Sequence, residues 1–257
     1  MMLIKAKTLS GYTLRSLNGD IGKVEEFYFD DHHWTVRYLV ANTGNWIMGR
    51  QVLISPYALT TVNQEEQYIA INLTKEQIEG SPSLAHDKPV SRQFEESYSK
   101  YYGMPMYWGG PYLWGAYPII MHDPKIWSQS IQGQESWNPN LRSTSAVCGY
   151  DIRASDGDIG HVEDFIINDE TWAIRYLVID TNNWLPGKKV LISPQWIDRV
   201  SWDLSTVFVN LSRDAIKASP EYSEEALLNR DYETEIYKHY HRQGYWVDEI
   251  VTKDHSR

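Results

Sequence analysis

The stretch Gly19-Asp20-Ile21-Gly22-Lys23-Val24-Glu25-Glu26-Phe27 returns almost unchanged as Gly157-Asp158-Ile159-Gly160-His161-Val162-Glu163-Asp164-Phe165. The offset is 138 residues. Kept without a gap, it also carries Arg37-Tyr38-Leu39-Val40 onto Arg175-Tyr176-Leu177-Val178, and Val52-Leu53-Ile54-Ser55-Pro56 onto Val190-Leu191-Ile192-Ser193-Pro194. In this register 31 of the 72 positions from Gly11 to Pro82 are identical. Self-similarity at one fixed spacing means that the chain is built from two copies of one unit. The same offset pairs Lys100 with Lys238, Tyr102 with Tyr240, and Tyr107-Trp108 with Tyr245-Trp246. The duplicated unit therefore covers about 11–108 and 149–246, with an unmatched linker over 109–148. A feature present in both copies is expected to serve the fold, and a feature present in one copy is where function can diverge.

Each copy reads as a series of short strands. Asn18-Gly19 and Asp156-Gly157 are turn dipeptides that accept positive φ. The strand that follows has Val24, Phe27 and Phe29 as inward positions, matched by Val162, Phe165 and Ile167. Strand alternation demands steps of two, yet Val24 to Phe27 is a step of three, so a β-bulge is predicted near Glu25-Glu26 and Glu163-Asp164. A second strand over 34–41 (172–179) is apolar on both faces, and a third over 51–55 (189–193) stops at Pro56 (Pro194). Segments 59–62 and 68–73, with 197–200 and 207–211, complete a small barrel of short strands. Thr74 and Ser212 read as helix N-caps. Val90, Phe94, Tyr98 and Tyr102 recur every four residues, as do Leu228, Tyr232, Ile236 and Tyr240, which predicts an amphipathic helix after each barrel. Pro89 suits its early positions and Gly103 its C-terminal stop.

Bulk properties narrow the function classes. Hydrophobic residues make up 42% of the chain, enough for a packed core. The net charge is −10, which argues against nucleic acid as a partner, since phosphate binding needs clustered Lys and Arg. Cys148 is the single cysteine, so no internal disulfide forms, and a cytoplasmic location is expected. The first seven residues hold no apolar run of signal-peptide length. Residues 103–121 carry no charge, but Gly103, Gly109, Gly110, Gly115, Pro105, Pro111 and Pro118 argue against a spanning helix there.

The run G-D-I-G-x-V-E-[ED]-F, then W-x-[VI]-R-Y-L-V, then V-L-I-S-P resembles the PRC-barrel family over about 72 residues of each copy. That domain is known from the cytoplasmic part of the photosynthetic reaction-centre H subunit and from the C-terminal half of a ribosome-maturation factor. The resemblance implies a small β-barrel, no catalytic residues to carry over, and a role in protein–protein contact and assembly. This sequence departs from the H subunit in lacking an N-terminal membrane helix, and from the ribosome factor in having two barrels and no preceding domain.

Several residues invite a chemical reading. If the first two strands form a hairpin with a four-residue loop, Glu26 opposes Arg37 and Asp164 opposes Arg175, giving structural ion pairs, with an acid–base pair as the alternative. Trp46 and Trp184, in the matched Asn-Trp-x-x-Gly loops, plug a barrel end or anchor a partner. No metal or cofactor site is expected. His32-His33 is replaced by Glu170-Thr171 in the second copy, His239 and His241 diverge on a helix, and Asp156-Gly157-Asp158 lacks the ligand spacing of a calcium loop. The linker aromatics Tyr107, Trp108, Tyr112, Trp114 and Tyr117 either pack between the barrels or under the tail helices, or form a docking surface for a partner protein, another subunit or a membrane surface.

The expected architecture is all-β dominated with short α tails: two small PRC-type β-barrels in tandem, related by pseudo-two-fold symmetry. Its segments are barrel one over 1–83, a tail helix within 84–108, a Gly/Pro/aromatic linker over 109–148, barrel two over 149–221, and a second tail over 222–257. The function expected is a non-enzymatic interaction module for protein partners or self-association, with membrane-surface contact a lesser alternative. The runner-up is a small-ligand or cofactor-binding protein with a pocket between the barrels.

Overall fold

Two seven-stranded sheets carry the two repeats. The fold is given by a computed structural model that describes residues 2–44, 50–82, 90, 92–104, 106, 141–181, 188–223 and 228–247. The first repeat runs β1 (Leu3–Lys5), α1 (Ala6–Leu9), β2 (Thr13–Ser16), β3 (Gly19–Asp30), β4 (Thr35–Asn42), β5 (Gln51–Ile54), β6 (Leu59–Asn63), β7 (Tyr68–Ile71), α2 (Lys75–Glu79) and α3 (Arg92–Tyr102). The second runs β8 (Leu141–Ser143), α4 (Thr144–Val147), β9 (Asp151–Ala154), β10 (Gly157–Asn168), β11 (Ile174–Asp180), β12 (Lys189–Ile192), β13 (Ile197–Ser201), β14 (Thr206–Val209), α5 (Arg213–Ala218) and α6 (Arg230–His239).

The first sheet is ordered β5-β4-β3-β2-β7-β6 and the second β12-β11-β10-β9-β14-β13. In each, the two end strands are consecutive in the chain. A single 3-10 turn joins them: Pro56–Ala58 behind its Ser55 cap, and Pro194–Trp196 behind Ser193. That short connection obliges the sheet to roll. The roll is eased by bulges. Val24 faces Ala41 and Glu26 faces Val40, so Glu25 is the extra residue, as the broken alternation predicts. A second slip leaves Arg37 extra on β4, between the Tyr28–Tyr38 and Phe29–Val36 pairs.

The glycines of the repeated motif are required by close approach. Gly22 and Gly160 have φ of 141° and 156°, and a Cβ on them would fall 2.1 Å from Asn42 O and 1.9 Å from Asp180 O. The helix signals hold as well. Thr74 and Gln77 form a capping box, and Ser212 accepts from Ala215 N. Gly103 ends α3 at φ 61° while Met104 N donates back to Ser99 O. Val90 lies before α3 rather than within it, although it is buried with the stripe.

The chain divides into two compact units, the first being Leu3–Val147 with Phe165–Arg175, the second Cys148–Asp164 with Tyr176–Arg257. The first unit thus includes a piece of the second repeat, and its strand pairing shows why. β1 pairs antiparallel with the end of β10 (Leu3 with Asn168, Ile4 with Ile167, Lys5 with Ile166). β8 pairs in the same way with the end of β3 (Leu141 with Asp30, Arg142 with Phe29, Ser143 with Tyr28). β1 and β8 are equivalent under the 138-residue offset, so each repeat's leading strand joins the other repeat's long strand. Within this unit Val36 N also donates to Trp172 O and Ile174 N to Trp34 O, and Phe29 meets Phe165 at 5.7 Å between ring centroids. The linker expected over 109–148 therefore ends sooner, because residues 141–147 are β8 and α4, the counterparts of β1 and α1.

In the first unit α3 covers a buried cluster of Tyr28, Tyr38, Val40 and Leu53 with Phe94 and Tyr98, and Tyr98 Oη accepts from Ser55 N at 3.0 Å. In the second, Tyr237 Oη donates to Ser193 Oγ at 3.2 Å. The stripe assigned Tyr98's place to Ile236, which is buried as expected, but the hydroxyl task has moved to the next residue.

These positions make a direct stability test. Gly160→Ala drives a methyl into the β11 backbone and should cost about 3 kcal/mol. Gly11→Ala, at φ 89° with nothing within 4 Å of its Cβ, should cost about 1 kcal/mol from backbone strain alone. Equilibrium chemical denaturation of the two variants measures the contrast.

Candidate functional site

Three polar arrangements stand out from the apolar framework. At the end of the β3–β4 hairpin, Asp30 is 2% exposed and Arg37 is 1% exposed. Asp30 Oδ1 accepts from His32 N at 3.2 Å and His33 N at 2.7 Å, with His33 Nδ1 at 3.1 Å. Its other oxygen accepts from Arg37 Nε at 2.6 Å and also meets Arg37 Nη2. Burial alone would push this carboxyl up, but the Arg37 guanidinium and the His33 bonds outweigh it and hold the carboxyl below its ordinary range. In the second repeat Asn168 keeps the turn and drops the charge, accepting from Glu170 N at 2.9 Å and Thr171 N at 3.0 Å.

Under the second tail helix lies Glu233, 1% exposed. Its Oε1 accepts from Tyr176 Oη at 2.8 Å and Tyr245 Oη at 2.7 Å, and its Oε2 meets Arg230 Nη1 at 3.0 Å. Burial, reinforced by Tyr237 and Glu233, pushes the Tyr176 phenol well up, so it remains a donor. Both carboxylate oxygens are engaged inside the protein. The arrangement fastens α6 to β11 and to the helical residues 245–247, and offers no reactive oxygen to a substrate.

The third arrangement is a cleft of about 530 Å³ in the second unit. Its walls carry two guanidinium groups, Arg153 and Arg213, two carboxylates, Asp151 and Asp158, and the Thr206 hydroxyl. Arg153 Nε lies 3.0 Å from Asp158 Oδ1. Unlike the other two, this site is open to solvent.

Comparison with known proteins places the fold. A family model for the PRC-barrel domain matches residues 2–78 and again 140–216. The chain belongs to the PRC-barrel family. A curated relative, an uncharacterized protein of Deinococcus radiodurans, is 32% identical over 93 residues, which are 36% of this chain and 33% of that protein. The chain thus spans about a third of the length of the curated relative it matches. Both PRC-barrel matches begin at the exchanged arms, β1 and β8, ahead of the Gly11 and Gly149 from which the repeat is legible in sequence.

Glu26 and Arg37 do not pair. The hairpin register sets Glu26 against Val40, and the bulge at Arg37 turns its guanidinium to Asp30. Glu26 instead accepts a hydrogen bond from Ser143 Oγ of β8. Asp164 and Arg175 are both buried, and Arg175 Nη2 lies 3.5 Å from Thr171 Oγ1. Cys148 Sγ meets Glu163 O at 3.3 Å, as Ser10 Oγ meets Glu25 O at 3.2 Å, so the lone thiol fills a backbone-bonding position of the barrel. His239 Nε2 lies 2.7 Å from Ala215 O, tying α6 to α5. Trp46, Trp184, Tyr107, Trp108, Tyr112, Trp114 and Tyr117 lie outside the described residues. Among the described residues no group of three or more His, Cys, Asp or Glu could hold a metal ion, and no helix is long and apolar enough to cross a membrane. Sequence reading missed the Glu233 clamp. Its one signal was a charged residue beside the apolar stripe, matched by Glu95 in the first copy.

The second repeat supplies the control for Asp30. Asp30→Asn keeps the turn bonds of Asn168 and removes the ion pair. Because the Asp30 pKa is lowered on folding, its contribution is present above the unfolded value near 4 and lost as pH falls through the folded value. At neutral pH the substitution should cost about 2–4 kcal/mol, and the gap to the native protein should narrow below about pH 4. Urea denaturation at a series of pH values checks both the size and the sign.

Proposed function

We propose that the protein is a non-enzymatic protein-interaction and assembly module of the PRC-barrel type. The observation that carries this reading is the strand pairing of the first unit, where β3 and the end of β10 each accept a short strand from the other repeat. Recognition by strand addition draws affinity from main-chain hydrogen bonds and specificity from alternate side chains. A barrel whose long strand is completed by another module is suited to docking. Membership of the PRC-barrel family supports the same reading. So does the role of the three polar arrangements: two of them close on the protein's own groups. The candidate partner contact is the linker set Tyr107, Trp108, Tyr112, Trp114 and Tyr117, since clustered aromatics anchor interfaces at low entropic cost. A reducing cytoplasm is the compartment we assign, on the single cysteine.

The test uses the full tagged chain with those five residues changed to Ser. Its thermal midpoint should stay within a few degrees of the native protein's. Capture of a reproducible, stoichiometric partner under native conditions should fall at least about tenfold. A folded variant that captures the partner undiminished overturns the assignment of the linker, and a native chain that captures none and stays monomeric overturns the assembly role.

A further inference from the structure

The two repeats keep one arginine in different company. In the first, the Arg15 guanidinium carbon lies 3.9 Å from the Tyr68 ring centroid, and the side chain is 3.7 Å from both Asp20 and Glu66. The offset replaces these residues by Arg153, Thr206, Asp158 and Leu204. Strand register confirms the equivalence, since Tyr68 faces Thr13 across β7 and β2 while Thr206 faces Asp151 across β14 and β9. The second repeat has therefore moved its ring from this position to Phe208, which stands where the first repeat has Ala70 and lies under Arg199 at 3.6 Å; it has also lost one carboxylate, and Arg153 keeps Asp158. Leu204, 69% exposed, does not line the space left behind. That space is the cleft of about 530 Å³, within the range of small-molecule sites.

We propose that this cleft binds a small aromatic molecule bearing a carboxylate, its ring beneath Arg153 where the first repeat holds Tyr68. A guanidinium over a ring face is attractive in its own right, and the first repeat shows that this backbone accommodates it. The acid group is directed by charge. Asp151 and Asp158 repel it, and Arg213, which stands where the first repeat has Lys75, is a guanidinium of the lining whose planar form matches a carboxylate. Ile159 and Gly160 of β10 complete the lining. The inference rests on the difference between the repeats and not on the assembly reading, so either can fail alone.

Amide chemical shifts of the full chain, titrated with 3-phenylpropionate, test it. Saturable shifts confined to the surroundings of Arg153, Thr206 and Arg213 are expected. Thr206→Tyr restores the first repeat's internal ring and should weaken binding at least about tenfold, and Arg213→Gln, which leaves the cleft open, should do the same. Acetate, without the ring, and 2-phenylethylamine, with the opposite charge, should each bind at least about tenfold more weakly than the probe. No saturable local shift up to about 10 mM overturns the proposal. So does undiminished binding by folded Thr206→Tyr or by Arg213→Gln, or equal binding of 2-phenylethylamine.

Discussion

A twelve-residue strand with a four-residue neighbour leaves an open edge, and the structure is organised around covering it. β2 pairs with β3 only from Gly19 to Lys23. Beyond that point the bare main-chain groups of β3 need other partners, since unpaired edge groups are costly when buried and adhesive when exposed. They are met in order along the strand. Gly11 and Tyr12 bond to Val24, Ser10 Oγ to the Glu25 carbonyl, and Thr144 Oγ1 receives the Phe27 amide. β8 then pairs with Tyr28, Phe29 and Asp30. β10 repeats the scheme with Gly149, Tyr150, Cys148 and finally β1. The edge left open by one repeat is closed by the first residues of the other, which is why one compact unit contains sequence from both repeats.

Charge is placed where that closure ends. The pairing of β8 ends at Asp30, the residue that also closes the hairpin and holds Arg37. Just outside, Arg142 of β8 reaches Asp31 at 3.1 Å. Burying Arg37 without Asp30 would strand a guanidinium, so the bulge that turns it inward and the carboxylate that receives it are one device. The second repeat answers the same geometry with Asn168 and the Thr171 hydroxyl. The turn is thus fixed by backbone bonds to Oδ1 in both copies, while the charge is specific to one.

What could be read from sequence was whatever depends on local steric or capping rules. The repeat, the bulge at Glu25, the Thr74 and Ser212 caps and the Gly103 stop all follow from a few neighbouring residues. The arms could not be read, because three-residue strands carry too little periodicity and β1 and β8 share only Leu3 and Leu141 under the offset. The ion-pair register failed for a related reason. The four-residue loop is 31–34 rather than 30–33, which sets Asp30 against Thr35 and shifts the register by two, and β4, apolar on both faces, gives no sign that Arg37 is an extra residue, which shifts it by one more. The aromatic linker, the most distinctive unrepeated stretch in the sequence, lies outside the described residues.

Two differences between the repeats show how a side chain's volume decides what its neighbours do. Ala58 in the first repeat is Trp196 in the second, and the indole lies 5.1 Å from the Tyr237 ring and 4.7 Å from the Tyr240 ring. With an indole there, the phenol that reaches Ser193 comes from position 237, one residue along α6, while Tyr98 reaches Ser55 from the earlier position in a repeat with only a methyl to accommodate. Tyr237 in turn packs against Trp246 at 5.1 Å, next to the Tyr245 hydroxyl that Glu233 accepts. A large residue added on the barrel has been followed by an aromatic rearrangement that fastens the second tail down. At Tyr68 the change runs the other way, from a ring to the small Thr206, and the ring reappears two residues along β14, where Ala70 has become Phe208 beneath Arg199. Phe208 faces Arg153 across β9 but does not line the cleft, so this shift along the strand opens the position beside Arg153 that Tyr68 fills in the first repeat.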